Sequence, residues 1–135
     1  MSKDVLVASP DDTIEKAATL MAKADCSVLP VGENDRLVGM VTDRDITLRA
    51  VAKGQLPDRC KVRDVMSSGI KYVFDDQTAN AASKSMSEQQ VHRLPVLNRH
   101  KRLVGIVSLG DLAWRHSDSA AQALHGISKP NGAIA

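Results

Sequence analysis

The feature that most limits what this chain can fold into is a repeat. Met1-Ser2 recurs as Met66-Ser67, Thr13 as Thr78, Ala17 as Ala82, Met21 as Met86 and Leu29-Pro30-Val31 as Leu94-Pro95-Val96, all at an offset of 65 residues. One extra residue then enters the second copy. Beyond it Leu37-Val38-Gly39 matches Leu103-Val104-Gly105, Val41 matches Val107 and Asp45 matches Asp111. The sequence is a tandem duplication, and neither half is large enough to hide its apolar strands and helix faces alone. The two copies are therefore expected to pack through their sheets with pseudo-twofold symmetry, so that clefts arise in symmetric pairs.

Period and punctuation give each copy the order βαββα, an α/β (α+β) fold class. An apolar strand is expected at Val5 to Val7 and again at Ile70 to Phe74. A helix follows, with Asp12 or Thr13 as N-cap and an apolar stripe of Ile14, Ala17, Ala18, Met21 and Ala24; its counterpart runs from Thr78 to about Gln89. Hairpins are expected from Ser27 to Val31 with Leu37 to Thr42, and from Arg93 to Leu97 with Leu103 to Ser108. A last helix runs from Asp43 to about Lys53, ended by Gly54, and its counterpart from Leu109 to about His116. The organisation read from this pattern is a first motif over 1–54, a connector and lead-in over 55–65, a second motif over 66–116, and a partly disordered tail over 117–135 with a short helix around Ala120 to Leu124.

Composition removes several function classes. Hydrophobic residues make up 43% and charged residues 25% of the 135 residues, values of an ordinary globular chain. Only Tyr72, Phe74 and Trp114 are aromatic, so the core is aliphatic and there is no stacking platform for single-stranded nucleic acid. A net charge of +2 exerts little general pull on polyanions. No signal-like or membrane-spanning run occurs, so a cytoplasmic location is expected. Cys26 and Cys60 lie far apart with no CxxC or Cys/His spacing and read as reduced thiols. His100 and His116 have no partner at metal spacing and His125 falls in the tail, so no metal site is expected.

The most informative repeated string is Gly39-Met40-Val41-Thr42-Asp43-Arg44-Asp45, which returns as Gly105-Ile106-Val107-Ser108-Leu109-Gly110-Asp111. Both are Gly-x-x-[Thr/Ser]-x-x-Asp. A hydroxyl at N-cap with an acid three residues on is a helix capping box. The same strand-to-helix geometry presents free N–H groups suited to phosphate, with Asp45 and Asp111 able to accept hydrogen bonds from ribose hydroxyls. Catalytic signatures are missing: Ser108 lies in Gly-x-x-Ser-x-Gly, not the nucleophile-elbow spacing, and no P-loop or Rossmann glycine string occurs. Asp45 and Asp111 belong to different copies, which argues against a paired-carboxylate site. No enzyme is expected.

The βαββα duplication, the two Gly-x-x-[Thr/Ser]-x-x-Asp strings and the Leu-Pro-Val strands resemble a tandem CBS-domain pair, or Bateman module, over Met1 to about Trp114. In that family the aspartate typically holds a ribose, the Thr or Ser lies near phosphates and an adenine slides between apolar residues of the sheets. Val91-His92-Arg93-Leu94-Pro95-Val96 also resembles the nucleotide-contacting strand of the γ subunit of AMP-activated protein kinase. The resemblance implies one pocket from Met40, Thr42, Arg44 and Asp45 with Ile70, Lys71, Val91, His92, Arg93 and Pro95. Its symmetry mate takes Ile106, Ser108 and Asp111 with Val5, Leu6, Cys26, Ser27, Val28 and Pro30. Because Ser27 and Val28 replace His92 and Arg93, the mate lacks a cationic clamp, and the first pocket is expected to favour phosphorylated ligands.

The function implied is a non-catalytic regulatory module that binds an adenine nucleotide (AMP, ADP or ATP) as regulatory ligand, forms a homodimer and signals to a protein target through two arrangements of its copies. Trp114 would suit the dimer interface as an anchor, with a place in the core or at its boundary as the alternative. The alternative is a structural interaction module that binds no nucleotide, with Thr42 and Asp45 serving only as caps. Nucleic-acid binding rests on the basic run Arg99-His100-Lys101-Arg102 alone; its counterpart Glu33-Asn34-Asp35-Arg36 is acidic, which marks the position as a solvated hairpin tip.

Overall fold

A computed structural model describes residues 5–130 and divides them into two compact units, Val5–Ile70 and the residues from Lys71 onward. The protein is a mixed α/β chain. The first unit contains α1 (Ile14–Ala24), β1 (Val28–Glu33), β2 (Arg36–Thr42), α2 (Asp43–Arg49) and α3 (Val62–Val65). The second contains β3 (Val73–Phe74), α4 (Ala79–Gln89), β4 (Arg93–Leu97), β5 (Leu103–Ser108), α5 (Leu109–Arg115) and α6 (Ser117–Ile127). The repeated Met1-Ser2 pair lies outside the described residues, as does the end of the tail.

The strand expected at Val5 to Val7 does not form. It is reduced to a single parallel bridge, Ala8 with Val31, whereas its counterpart β3 pairs Val73 with Val96 and Phe74 with Leu97. Pro10 explains the difference. In the second unit the Asp75 N–H donates to Leu97 O at 2.8 Å; Pro10 occupies the equivalent position and has no N–H to give. The second-copy strand is itself shorter than the stretch from Ile70, which remains unpaired up to Val73.

The hairpins form as the spacing predicts, and their turns accommodate the one-residue difference between copies. Asn34 and Asp35 both take positive φ, 53° and 60°, the two-residue turn that matches strand twist. In the second unit Asn98 organises a longer turn: its Oδ1 accepts from His100 and Arg102 N–H at 3.0 and 3.1 Å, and Lys101 adopts φ 61°. Each hairpin shifts register at the same place, after Val31 and after Val96. Pro30 sits opposite Met40 and Pro95 opposite Ile106. Pro30 O accepts from Ala8 N–H at 2.9 Å, so the backbone groups of this residue point away from β2 and the ladder loses nothing to the missing donor.

Four helices start on hydroxyl caps. Thr13 accepts from Lys16 N–H and Thr78 from Ala81 N–H. Thr42 and Ser108 each form a reciprocal capping box with the aspartate three residues on. The helix after Asp43 does not run unbroken to Lys53. It ends at Arg49, and Val51–Lys53 form a separate single 3₁₀ turn closed by Gly54 in the left-handed region, φ 71°.

The two cores are aliphatic but are completed differently. In the first unit Ile14, Ala17, Met21, Leu29, Val31 and Val41 are joined by Cys60, Val62 and Val65 from the connecting segment. That segment is tied to the start of α1 by Val62 N–H to Asp12 O and Ile14 N–H to Cys60 O, at 2.8 and 2.9 Å. In the second unit α6 supplies Ala120 and Ala123 to Val73, Ala82, Met86, Leu94, Val96 and Leu112. The helix is longer than the Ala120 to Leu124 stretch suggested by the sequence, because it is built on a seam with α4. The fully buried Ser83 hydroxyl donates to Ser119 O, and the Ser119 hydroxyl donates to Asn80 Oδ1. Gly126 lies against Ser87 so closely that a Cβ there would overlap the Ser87 hydroxyl and stand 2.8 Å from its Cα.

Two stability outcomes follow from this packing, both read by urea denaturation. Gly126→Ala is expected to lower the unfolding free energy by about 1–3 kcal/mol through overpacking, with a Ser87→Gly change in the same chain recovering part of the loss. Thr42→Ala is expected to cost about 0.5–2 kcal/mol and Thr42→Ser close to nothing, because serine caps at least as well as threonine.

Candidate functional site

In each unit the second hairpin strand runs directly into a short helix, and the start of the first hairpin strand lies beside that corner. The first unit pairs Val28 with Thr42, and Asp43 N–H donates to Ser27 O at 3.0 Å. The second unit pairs Arg93 with Ser108, and Leu109 N–H donates to His92 O at 2.8 Å. One half-site therefore gathers Ser27, Val28, Thr42, Arg44 and Asp45, and the other His92, Arg93, Ser108 and Asp111. Each pocket expected from the sequence combines residues of one half-site with residues of the other; the structure defines the half-sites one unit at a time.

The hydrogen bonding at the first corner corrects one expectation. Thr42 N–H donates to Asp45 Oδ2 and Asp45 N–H to Thr42 Oγ1, both at 3.0 Å. Arg44 N–H donates to Asp43 Oδ1 at 2.8 Å, and Asp43 N–H is taken by Ser27 O. The free N–H groups expected to face phosphate are thus satisfied within the unit, two by the hydroxyl and acid of the motif, one by the Asp43 carboxylate and one by Ser27 O. In the second unit Ser108 N–H donates to Asp111 Oδ2 at 2.9 Å and Asp111 N–H to Ser108 Oγ at 3.1 Å. Leu109 stands where Asp43 does and offers Gly110 N–H no carboxylate. What remains for a ligand at the first corner is the acceptor capacity of the Asp45 carboxylate, since each oxygen carries two lone pairs.

The remaining candidates fall into three groups. Met40 and Ile106 are half-buried opposite the buried Pro30 and Pro95, forming an apolar rung in each sheet. Cys26 and Val91 are half-buried and pack against the cores of their own units. Lys71, His92, Arg93, Arg44 and Leu6 are exposed, with Val5 and Ile70 half-buried. No ion pair among the described residues engages His92 or Arg93, so the Arg93 charge and the hydrogen-bonding capacity of both side chains are not committed inside the unit. Gly39 is explained by close approach: a Cβ there would lie 2.8 Å from Ser67 O and 2.9 Å from Met66 Sδ.

Arg49 was not singled out by the motif. Its Nε lies 3.9 Å from Asp45 Oδ1, and its Nη1 donates to Val65 O at 3.0 Å. A signal for it exists in the repeat, since Arg115 follows Asp111 at the same spacing. A second pair, Arg63 with Asp11 at 2.9 Å, ties the connecting segment to the residues before α1; the Arg63 hydrogen bond and charge hold the Asp11 carboxyl below its usual range.

The basic hairpin turn is internally neutralised at its first residue. Arg99 makes a bidentate pair with Asp76 at 2.7 and 2.8 Å, and its guanidinium lies 4.0 Å from the Phe74 ring centroid. The Arg99 hydrogen bond lowers the Asp76 pKa. Phe74 in turn meets Tyr72 edge to face at 5.4 Å, so two of the three aromatic residues are used locally. Both cysteines are free, and burial pushes the Cys60 thiol upward, away from reactivity. Among the described residues no group of His, Cys, Asp and Glu is placed to hold a metal ion, and no helix is long and apolar enough to cross a membrane.

Comparison with known proteins places this geometry in a family. The CBS domain model matches residues 1–51 and again 62–117. The CBS domain-containing protein YhcV of Bacillus subtilis is 40% identical over 133 residues, covering 97% of this chain and 94% of the relative. Among solved structures, the CBS domain protein TA0289 of Thermoplasma acidophilum superposes with a TM-score of 0.80 at 26% identity, over 93% of this chain and 72% of that one. The CBS domain pair of protein MJ0100, solved with 5'-methylthioadenosine and S-adenosyl-L-methionine, gives a TM-score of 0.75 at 24% identity, over 87% and 92% of the two chains. With two matches to one model, one in each copy of its repeat, the chain belongs to the CBS-domain family as a tandem CBS pair.

Proposed function

We propose that the protein is a cytoplasmic, non-catalytic regulatory module that binds an adenine nucleotide in the clefts between its two CBS motifs and signals energy or metabolite state to a protein target. The observation that carries this reading is that His92 and Arg93 stand exposed at the start of β4, and no ion pair among the described residues engages either side chain. The first unit offers Ser27 and Val28 at the same place. Charge-assisted hydrogen bonds to phosphate are about twice as strong as neutral ones, so the pocket that includes His92 and Arg93, together with Met40, Thr42, Asp45, Ile70 and Lys71, takes the phosphorylated ligand. The pocket that includes Ser27, Val28, Ile106, Ser108 and Asp111 takes a ligand of lower charge or none. The structural neighbour solved with two adenosine compounds supports an adenosine-containing ligand class.

A second reading, an interaction module without nucleotide, is favoured by the internal satisfaction of the N–H groups at the first corner. Both readings use Trp114, which is 87% exposed on α5. An indole that exposed is the anchor of a homodimer interface.

Calorimetric titration with AMP, ADP, ATP, NAD and S-adenosylmethionine separates the two readings. A phosphorylated nucleotide is expected to bind, and Arg93→Ala to weaken it by about 10-fold or more, the loss typical of a charged hydrogen bond. Asp45→Ala is to be checked by thermal unfolding alongside, because a lost cap lowers stability as well. If none of the five binds, the interaction-module reading takes its place. Sedimentation equilibrium is expected to show a dimer, and Trp114→Glu to shift it toward monomer; an unchanged dimer removes Trp114 from the interface.

A further inference from the structure

The duplication preserves more than the Gly-x-x-[Thr/Ser]-x-x-Asp string. Four residues after each aspartate stands an arginine, Arg49 and Arg115, although the three residues between have changed from Ile-Thr-Leu to Leu-Ala-Trp. An exposed i,i+4 ion pair contributes little to stability, which is a weak reason for both copies to keep the arginine. The first unit shows what else the arginine does. While Nε faces Asp45 Oδ1 at 3.9 Å, Nη1 donates to Val65 O at 3.0 Å and to Met66 O at 3.4 Å. These carbonyls close α3. The next residue, Ser67, is locked to Met40 of β2 through both its backbone groups at 2.9 Å, and the unit ends three residues later at Ile70.

We propose that Arg49 is a positioning residue that ties the Asp45 carboxylate to the Val65–Ser67 segment, so that a ligand hydroxyl taken up by Asp45 alters the hold on the chain leading into the second unit. The ligand-driven half rests on the reading of Asp45 as a nucleotide contact; the tie itself does not. Asp45 Oδ2 holds the Thr42 N–H, whereas Oδ1 faces Arg49, and a ligand hydroxyl that binds Oδ1 shares it with Arg49. A guanidinium is a rigid planar fork: a shift of Nε relative to the carboxylate moves Nη1 relative to the carbonyls. Lysine, with a single ammonium on a flexible stem, serves one end of this arrangement but not both.

Amide hydrogen exchange of the full chain, read residue by residue by NMR, tests both halves at Met40 and Ser67, whose N–H groups bond to each other's carbonyls. Without ligand, Arg49→Ala and Asp45→Asn are each expected to speed exchange at these two amides by roughly two-fold, the worth of an i,i+4 ion pair. The double variant should add little, because one linkage is removed in each case, and Arg49→Lys should fall between. Asparagine keeps an oxygen for the Thr42 N–H, so this substitution removes the charge facing Arg49 and leaves the cap. Fast exchange in Arg49→Ala with wild-type exchange in Asp45→Asn makes Arg49 only a clasp on α3 and overturns the tie. With saturating AMP, the wild-type amides should change protection and those of Arg49→Lys should not, even though AMP still binds. AMP bound with Ser67 unaltered overturns the ligand-driven half. Calorimetry showing no AMP binding to the wild type counts against the nucleotide reading and removes that half with it, while the ligand-free exchange still decides the tie.

Discussion

The corner at which a hairpin strand becomes a helix governs both units. Four successive N–H groups emerge there, at Thr42 to Asp45, before any preceding turn of helix exists to accept them, and leaving a buried donor unpaired costs about 1–3 kcal/mol. The reciprocal bonds of Thr42 and Asp45 satisfy two, and Ser27 O takes the third. That last bond forms only if β1 starts beside the corner, so the cap and the hairpin register specify each other. The half-site is a product of the same solution: the strand start, the hydroxyl and the acid converge because the backbone needs them there.

What was legible in the sequence was local. A hydroxyl and an acid three residues apart announce the caps at Thr42 and Ser108 without reference to anything distant, and the threonines before α1 and α4 do the same. Turn chemistry at Asn34-Asp35 needs no tertiary context either. The features that escaped depend on partners far along the chain. Pro10 truncates the first strand only because its missing donor would have faced the Val31–Gly32 region, and the length of α6 is set by Ser83 and Ser87 of α4 rather than by its own propensity. The motif identified Asp45 but not the Asp43 carboxylate that occupies Arg44 N–H, so the corner looked more open to phosphate than it is. Arg49 escaped because its meaning lies in the carbonyls of Val65 and Met66, which no local pattern marks.

The duplication has kept its corners and changed its closures. The first unit covers α1 and its sheet with a connecting segment that carries Cys60, Val62 and Val65, the second with an added helix that carries Ala120 and Ala123. Conservation of the part that builds the half-site, together with divergence of the part that completes the core, lets the two copies retain one geometry while the residues at the strand starts separate: half-buried Ser27 and Val28 in one, exposed His92 and Arg93 in the other.

Pro30 has a consequence beyond its place in β1. A strand whose outer neighbour has shrunk to one bridge at Ala8 would present unpaired donors and acceptors along its free margin, a template on which another chain's strand can nucleate. Pro30 has no N–H to offer there, its carbonyl is taken by Ala8 N–H, and the next donor along, Gly32 N–H, is taken by Ala8 O. The same proline that fits the ladder on its inner side thus makes the outer side a poor seed for fibrous self-association.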